Sequence, residues 1–547
     1  MVIYKSNFPS ISLPNTDIYS FITEPNEHNQ TKDLKKPLYT DGETGKSLTW
    51  HQIKETSDLL ASGWKENVGL TRGDTVAVFA PNQLDHAILY FSLLAADCTI
   101  SPGNPAYTET EFEHQIKNCK ATTLVTIPAL LPILLKIWDR LGHPRSRVFL
   151  FGHQTLEGCR PFYSIQGTKP ISRTVQENRA DDVAFICYSS GTTGLAKGVM
   201  LTHKNFIAQT LLYISAEQLT EREVENECIL GFLPFYHIYG LNTLILLAYY
   251  KILPVVVMSR YDIELMCRLI EKYKITTAAI VPPVAVHLAK SPVVSKYDLS
   301  SMCRVGCGAA PLSKEHVDSL NKRINAEVKQ GYGMTETTSG VILQTSKHIA
   351  PGSIGVLVPN TECKIVDENG KELGNDQEGE LLFRGPTVMK GYLDNPKANA
   401  ETFTLDGWMR TGDVGKFDSK TGQFYIVDRI KELIKYKGYQ VAPAELEAIL
   451  MGMDIVADCC VVGVYDESQA TEIPRAYIVA QAGIERNSTT AKKVEDYVSK
   501  NVTNHKRLRG GVRFVDAIPK SPSGKILRKQ VRDWVKAEQQ QEVRARL

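Results

Sequence analysis

Val183-Ala184-Phe185-Ile186-Cys187-Tyr188-Ser189-Ser190-Gly191-Thr192-Thr193-Gly194-Leu195-Ala196-Lys197-Gly198-Val199-Met200-Leu201 is the stretch from which the rest of the chain can be read. Two apolar runs flank ten residues that hold four hydroxyls, three glycines and one lysine. Glycine lets a backbone turn tightly and approach a ligand, so N–H groups, hydroxyls and an ammonium can converge on phosphate oxygens. The nearest general pattern is the phosphate loop G-x-x-x-x-G-K-[ST], and the stretch fails it. Ala196 replaces the second glycine, and Gly198 stands where a metal-binding hydroxyl is required. A second strand-like run follows the lysine, which predicts a strand–loop–strand flap over phosphate; a plain polar hairpin is the competing reading.

Outward from this loop, apolar runs alternate with helical periods. Helices are predicted at Leu48–Asn67, His86–Ala96, Thr108–Asn118, Glu264–Tyr273 and Ser313–Asn325, and strands at Asp74–Ala80, Cys98–Ile100, Ala121–Thr126 and Thr277–Val281. Such alternation argues for parallel sheets built from βαβ units. Residues 1 to about 36 are polar and turn-rich, which predicts a segment draped over the surface. Past Gly352, short strands with Asn369-Gly370 and Asp406-Gly407 turns predict a small β-subdomain. A further α+β region follows, with helices Pro443–Met451 and Ala491–Lys500 and strands Asp458–Gly463 and Arg475–Ala480. The fold class is therefore α/β, with an N-terminal domain over 1–427 and a mobile α+β domain over 428–547.

At 547 residues the chain needs several folding units, and its net charge of +2 gives no electrostatic case for nucleic acid. Eleven cysteines without metal-ligand spacing fit a reducing interior. No signal peptide is predicted, so the sequons at Asn29, Asn487 and Asn501 carry little. The most apolar stretch, Leu241 to Met258, is interrupted by Lys251 and Pro254 and reads as core rather than membrane span. The ending Ala545-Arg546-Leu547 is of the S-K-L type, which predicts a peroxisomal import receptor as partner and otherwise a cytosolic chain.

Four more stretches carry chemistry. Gln330-Gly331-Tyr332-Gly333-Met334-Thr335-Glu336 offers a flat ring for a base, a hydroxyl for a phosphate and a carboxylate for Mg²⁺. Thr411-Gly412-Asp413 puts an acid on a tight turn, suited to ribose hydroxyls or merely structural. The charged run Asp428–Tyr439 and the lysine on the turn Pro519–Lys525 are, alone, ordinary solvated segments.

Together, in this order, these motifs resemble those of the acyl-adenylate-forming enzymes, which include acyl-CoA synthetases, 4-coumarate–CoA ligases and firefly luciferase. Gly308-Ala309-Ala310-Pro311 and Gly379–Gly385 extend the match over nearly the whole chain, and Leu233–Asn242 resembles the coumarate ligase and luciferase branch. The resemblance implies two half-reactions: carboxylate plus ATP gives acyl-AMP and pyrophosphate, and coenzyme A then displaces AMP. It implies that Ser189, Ser190, Gly191, Thr192, Thr193, Gly194 and Lys197 hold the β- and γ-phosphates. Thr335 would meet the α-phosphate, Glu336 would bind Mg²⁺, and Gly331, Tyr332, Gly333, Asp413, Arg429 and Lys431 would hold the nucleoside. Lys525 would neutralise the carboxylate and the α-phosphate, and a hinge at Asp428 would then bring Lys435, Lys437, Gly438 and Gln440 towards coenzyme A, with Arg260 facing its nucleotide.

His237, Tyr239, Thr243, Gly308, Ala309, Gln330, Gly331 and Val341 would line the acyl pocket, with Gly306, Gly333 and Gly340 leaving room for a bulky or elongated acid. A cinnamate- or phenylacetate-like acid or a medium-chain fatty acid is favoured. Phe235 to Leu241 lacks the aspartate with which amino-acid-activating members hold an ammonium, and Gly340 departs from the proline usual in plant coumarate ligases. Luciferase-type oxygenation and stand-alone amino-acid adenylation remain the rival activities.

Overall fold

The computed structural model describes the chain except residues 1, 174–178, 190–195, 218–226, 311, 313, 438, 467–468, 470, 522–523 and 547, and except the side chains of 315 and 539–546. Ser190, Gly191, Thr192, Thr193, Gly194 and Gly438 therefore lie outside the described residues, as do the side chains of the terminal tripeptide.

The opening stretch is an antiparallel pair. Val183–Ser189 and Lys197–Thr202 run side by side with Ser189 opposite Lys197. They sit near one edge of an eight-stranded sheet, where Thr99–Gly103, Thr75–Phe79, Thr123–Thr126 and Val148–Leu150 continue in parallel. A nine-stranded sheet holds Glu327–Met334, Arg304–Cys307, Thr277–Ile280, Ile229–Gly231, Val255–Val257 and Pro37–Asp41 in parallel array. One apolar core joins both sheets, partly through the helix His86–Ala95, whose ten residues are all buried. A helix apolar on every side belongs in such a position.

Local chemistry sets the element ends. Thr49 and Thr108 begin Trp50–Glu66 and Glu109–Asn118 with capping boxes closed by Gln52 and Glu111. Each box pairs two N–H groups that the first turn would otherwise leave unbonded. Predicted boundaries shift by a few residues: the strand expected at Cys98–Ile100 runs Thr99–Gly103, and that expected at Arg475–Ala480 runs Thr471–Ala480. The N-terminal segment departs from expectation. Tyr4–Lys5 pairs with Glu362–Val366, and Ile18, Tyr19 and Ile22 are buried in the main core. Their i, i+1, i+4 spacing on a single short turn was hidden among polar neighbours.

Leu241 to Met258 is core, as expected: a π-helical turn over Leu241–Leu247, a short helix Ala248–Lys251 and the strand Val255–Val257. Among the described residues no helix is long and apolar enough to cross a membrane.

The β-subdomain is a five-stranded antiparallel sheet of Tyr4–Lys5, Glu362–Val366, Gly379–Arg384, Met409–Asp418 and Gln423–Arg429. Its last strand includes Asp428 and Arg429, so the expected boundary at 427 falls inside a paired strand. The C-terminal region follows, with a hairpin of Ile434–Tyr436 and Tyr439–Val441 and a sheet of Val456–Asp466, Thr471–Ala480 and Val512–Phe514. The helices Pro443–Met451, Ser488–Asn501 and Arg528–Arg546 complete it. Its apolar clusters are its own, apart from a small bridge of Val414, Leu433 and Ala442.

Candidate active site

Strand ends and loops of three units face one cavity of about 680 Å³. From the eight-stranded sheet come Ser189 and Lys197, and from the nine-stranded sheet Gly306, Gly308, Gln330, Gly331, Tyr332, Gly333, Thr335 and Glu336. The segment at the π-helical turn adds His237, Tyr239 and Thr243; Ala309 and Gly340 also line the space. Arg429 and Lys431 come from the end of the β-subdomain, and Lys525 comes from the C-terminal region. Residues more than 300 positions apart thus meet at one site.

In the cavity wall, Glu336 is buried, and its Oε1 accepts hydrogen bonds from Ser189 Oγ and Tyr392 OH, each at 2.9 Å. Lys197 Nζ lies 4.2 Å from the centroid of the same Tyr392 ring. The ring thus faces a cation while its hydroxyl orients a carboxylate. Tyr392 was not anticipated, because its Lys390-Gly391-Tyr392 setting looks like an ordinary strand edge. The turn carrying Glu336 is tight: a Cβ on Gly333 would lie 1.8 Å from the Ser339 carbonyl oxygen. Only glycine lets those backbones pass so closely.

Tyr332 OH donates to Asp413 Oδ2 at 2.6 Å, and Arg429 Nε lies 3.1 Å from Asp413 Oδ1. The pairing of Met409–Asp418 with Gln423–Arg429 sets Asp413 directly opposite Arg429. Asp413 itself is not at the cavity surface; Thr411, Gly412 and Arg429 form the wall there. In this arrangement the buried carboxylate positions Tyr332 and Arg429.

Beside the acyl space, His237 Nδ1 accepts from Tyr239 N at 3.3 Å, which leaves the proton of a neutral ring on Nε2. Burial pulls this imidazole down to about 4, and the Lys525 charge pushes in the same direction. The ring is therefore a neutral N–H donor at physiological pH. Tyr239 OH donates to the Gly306 carbonyl at 3.2 Å, pinning one wall. Gln330 also lines the cavity, with its amide oxygen accepting from Leu312 N at 2.9 Å.

Lys525 arrives on a turn closed by Ser521 N donating to the Lys525 carbonyl at 2.8 Å and Lys525 N donating to Ser521 Oγ at 3.1 Å. Gly524, at φ +77°, sits where a Cβ would be 3.0 Å from Val281 and 3.3 Å from Pro283 of the large domain. Burial, with Arg429 adding to it, brings the Lys525 ammonium down to about 8, against the pull of Glu432, Asp413 and Glu336.

Several expected residues are elsewhere. Val341 is fully buried in the core beneath the β-subdomain and does not line the cavity; the strand Ser339–Leu343 presents Gly340 and Leu343 instead. Arg260 is exposed and away from the cavity, as are Lys435, Lys437 and Gln440, which the resemblance brings to the site only after rotation about Asp428. Among the described residues no group of three or more His, Cys, Asp or Glu side chains could by itself hold a metal. A lone buried Glu336 carboxylate fits Mg²⁺, which takes one or two carboxylates and fills its shell with phosphate and water.

Comparison with known proteins gives the family. The AMP-binding enzyme model matches residues 26–393, and the model of the AMP-binding enzyme C-terminal domain matches 445–525. A probable 4-coumarate–CoA ligase 1 from Dictyostelium discoideum is 36% identical, covering 97% of each chain. A 4-coumarate–CoA ligase 1 from Narcissus pseudonarcissus is 38% identical, covering 98% of this chain and 97% of that one. ATP-bound MatB from Rhodopseudomonas palustris superposes with a TM-score of 0.84 at 25% identity, over 94% of this chain and 98% of that one. An anthranilate CoA ligase with bound anthranoyl-AMP gives 0.86 at 22% identity, over 96% and 98% of the two chains. The chain belongs to the AMP-binding enzyme family.

Proposed function

We propose that this AMP-forming acid–CoA ligase activates an aromatic acid of the cinnamate or phenylacetate type, or a medium-chain fatty acid, in the adenylating arrangement described above. The observation that carries the reading is the presence of Lys525, from the C-terminal region, in the cavity that holds His237, Thr335 and Glu336 of the large domain. ATP and coenzyme A are the co-substrates.

In the first half-reaction a carboxylate oxygen attacks the α-phosphorus, and the bond to the bridging oxygen of pyrophosphate breaks. Both reactants are anions, so fixed positive charge and N–H donors must offset their repulsion. Lys525 sits between the acyl space and the phosphate end, where its ammonium stabilises the developing charge. His237 Nε2–H orients the carboxylate, Thr335 bonds the α-phosphate, and Lys197 leaves the Tyr392 ring to meet the departing phosphates. Glu336 would hold Mg²⁺, which supplies charge neutralisation on the phosphates. In the second half-reaction the thiol of coenzyme A attacks the acyl carbon and AMP leaves. The exposed Lys435, Lys437 and Gln440 would reach the site only after the C-terminal region turns about Asp428, a hinge-type movement.

A pyrophosphate-release screen over carboxylic acids, with and without coenzyme A, tests the reading. Aromatic and medium-chain acids are expected to release pyrophosphate, and acyl-CoA to accumulate only with the thiol present. Release by no acid in either class would overturn it. The Tyr392 contact gives a narrower check. Tyr392→Phe keeps the ring under Lys197 but removes one hydrogen bond to a charged carboxylate, worth about 1.5–3 kcal/mol. The Mg²⁺ concentration needed for half-maximal pyrophosphate exchange is expected to rise roughly tenfold or more. An unchanged Mg²⁺ titration would remove Tyr392 from the metal-positioning role.

A further inference from the structure

The acyl space does not end at Gly306 and Gly308. Thr277–Ile280, Arg304–Cys307 and Glu327–Met334 lie side by side, with Thr277 opposite Arg304, Ala279 opposite Gly306 and Gly306 opposite Lys329. Side chains repeat every second residue on a strand face. One face therefore carries Ala279, Gly306, Gly308 and Gly331, with Lys329 level with Gly306 and Arg304 one step farther from Gly308. Along the helix His203–Glu217, Gln209, Tyr213 and Glu217 line the same cavity at four-residue spacing, so this wall too ends on a charge. Lys251 and Glu227 complete the end wall.

The charges there are paired at different distances. Arg304 Nη2 lies 3.0 Å from Glu227 Oε1, which also accepts from Thr277 Oγ1 at 3.3 Å. Lys329 is only 8% exposed, and its Nζ makes no hydrogen bond among the described residues. Glu217 and Glu327 stand off at 3.9 and 3.8 Å. A buried ammonium without hydrogen bonds is costly, and it is usually retained where something else completes its shell. Among the described residues Lys251, Arg304, Lys329, Glu217 and Glu227 line this end of the cavity, and Glu327 stands beside Lys329. Burial pushes the Glu217 carboxyl up, with Glu227 adding to the rise, against the pull of Lys329 and Lys251.

We propose that the far end of the acyl cavity is a subsite for a second anionic group. The acid is then one that carries a carboxylate at each end, the first meeting Lys525 and the second meeting Lys329. This rests on the adenylating role proposed above and narrows its substrate class. Glu227 Oε2 also lacks a hydrogen bond among the described residues, so a terminal hydroxyl is the competing occupant.

The test is pyrophosphate release by the full-length protein with acids matched in length: octanoate, 8-hydroxyoctanoate and suberate, and cinnamate against 4-carboxycinnamate. The diacids are expected to exceed the matched monoacids at least tenfold in kcat/KM, mainly through KM. Lys329→Met is expected to abolish that preference and Lys329→Arg to keep it. A role confined to neutralising Glu217 would not make the preference follow the charge at 329. The proposal is overturned if monoacids or hydroxy acids match the diacids, or if the preference survives in Lys329→Met. The wild-type comparison decides alone should that variant misfold. Release by none of these acids would count against the adenylating reading itself, whereas release by the monoacids alone would count only against the subsite.

Discussion

Lys525→Ala is expected to lower acid-dependent pyrophosphate exchange by roughly 10²–10³-fold, the loss typical of removing one fixed stabiliser of transition-state charge. Thioester formation from supplied acyl-AMP and coenzyme A should continue at a rate close to wild type. The split follows from the site: the phosphate end keeps Lys197, Thr335 and Glu336, but the ammonium between the two reacting anions is gone. Lys525→Arg should restore little. The turn is seated against Val281 and Pro283 at Gly524, which leaves it no freedom to accommodate a longer, planar group.

The same residue sets a pH dependence. With its ammonium brought down to about 8, Lys525 is protonated and competent below that pH and loses its charge as pH rises through it. In the exchange assay kcat/KM for ATP should fall above about 8, while kcat, which reports the complex with bound anions, should fall only at higher pH. Normal exchange in Lys525→Ala would sink the assignment. So would a falling limb near 8 that persists unchanged in that variant's residual activity.

What could be read from the sequence was whatever depends on local pattern or on motifs quoted in order. The βαβ alternation from Thr75 to Thr126, the two strands Val183–Ser189 and Lys197–Thr202 and the helix Pro443–Met451 are local, and they stand where expected. Convergence of Lys525 on His237 was implied by resemblance, since no spacing rule connects residues 288 apart in the chain. Val341 was misplaced because a motif gives the neighbourhood and not which side chains of Ser339–Leu343 reach the cavity: Gly340 and Leu343 do, and Val341 packs into the core beneath the β-subdomain. Tyr392 and Lys329 went unread for a related reason. Each acts through partners distant in sequence, Glu336 and Lys197 for one and Glu217 for the other. The N-terminal segment misled because Ile18, Tyr19 and Ile22 supply too few apolar positions to reveal a period.

Arg528→Met is expected to destabilise the C-terminal region by about 3–5 kcal/mol, the usual cost of leaving buried charges unpaired. Arg528 opens the helix Arg528–Arg546, three residues after Lys525, and its guanidinium bonds both Glu432, at 3.2 Å, and Glu447. Glu447 Oε1 also accepts from Val461 N at 2.8 Å, and Asp428 Oδ2 accepts from Ala444 N at 2.9 Å. One cation therefore ties the helix that follows the Lys525 turn to the segment beyond the Asp428 strand end and to the helix Pro443–Met451. Because this region has its own apolar clusters, it should melt in a separate, earlier calorimetric transition, and pyrophosphate exchange should fade with it. Burial already pushes the Glu447 carboxyl up to about 7 with the guanidinium beside it. Removing the guanidinium raises it further, so protonation favours the folded variant: its stability should rise as pH falls below 7 and be lost as pH rises. Adding Glu432→Gln and Glu447→Gln to Arg528→Met should recover most of the loss, because neutral groups no longer carry the burial cost of unpaired charge. A single transition at the wild-type temperature in Arg528→Met, or no recovery in the triple variant, would show that the helices hold the region together without this cation.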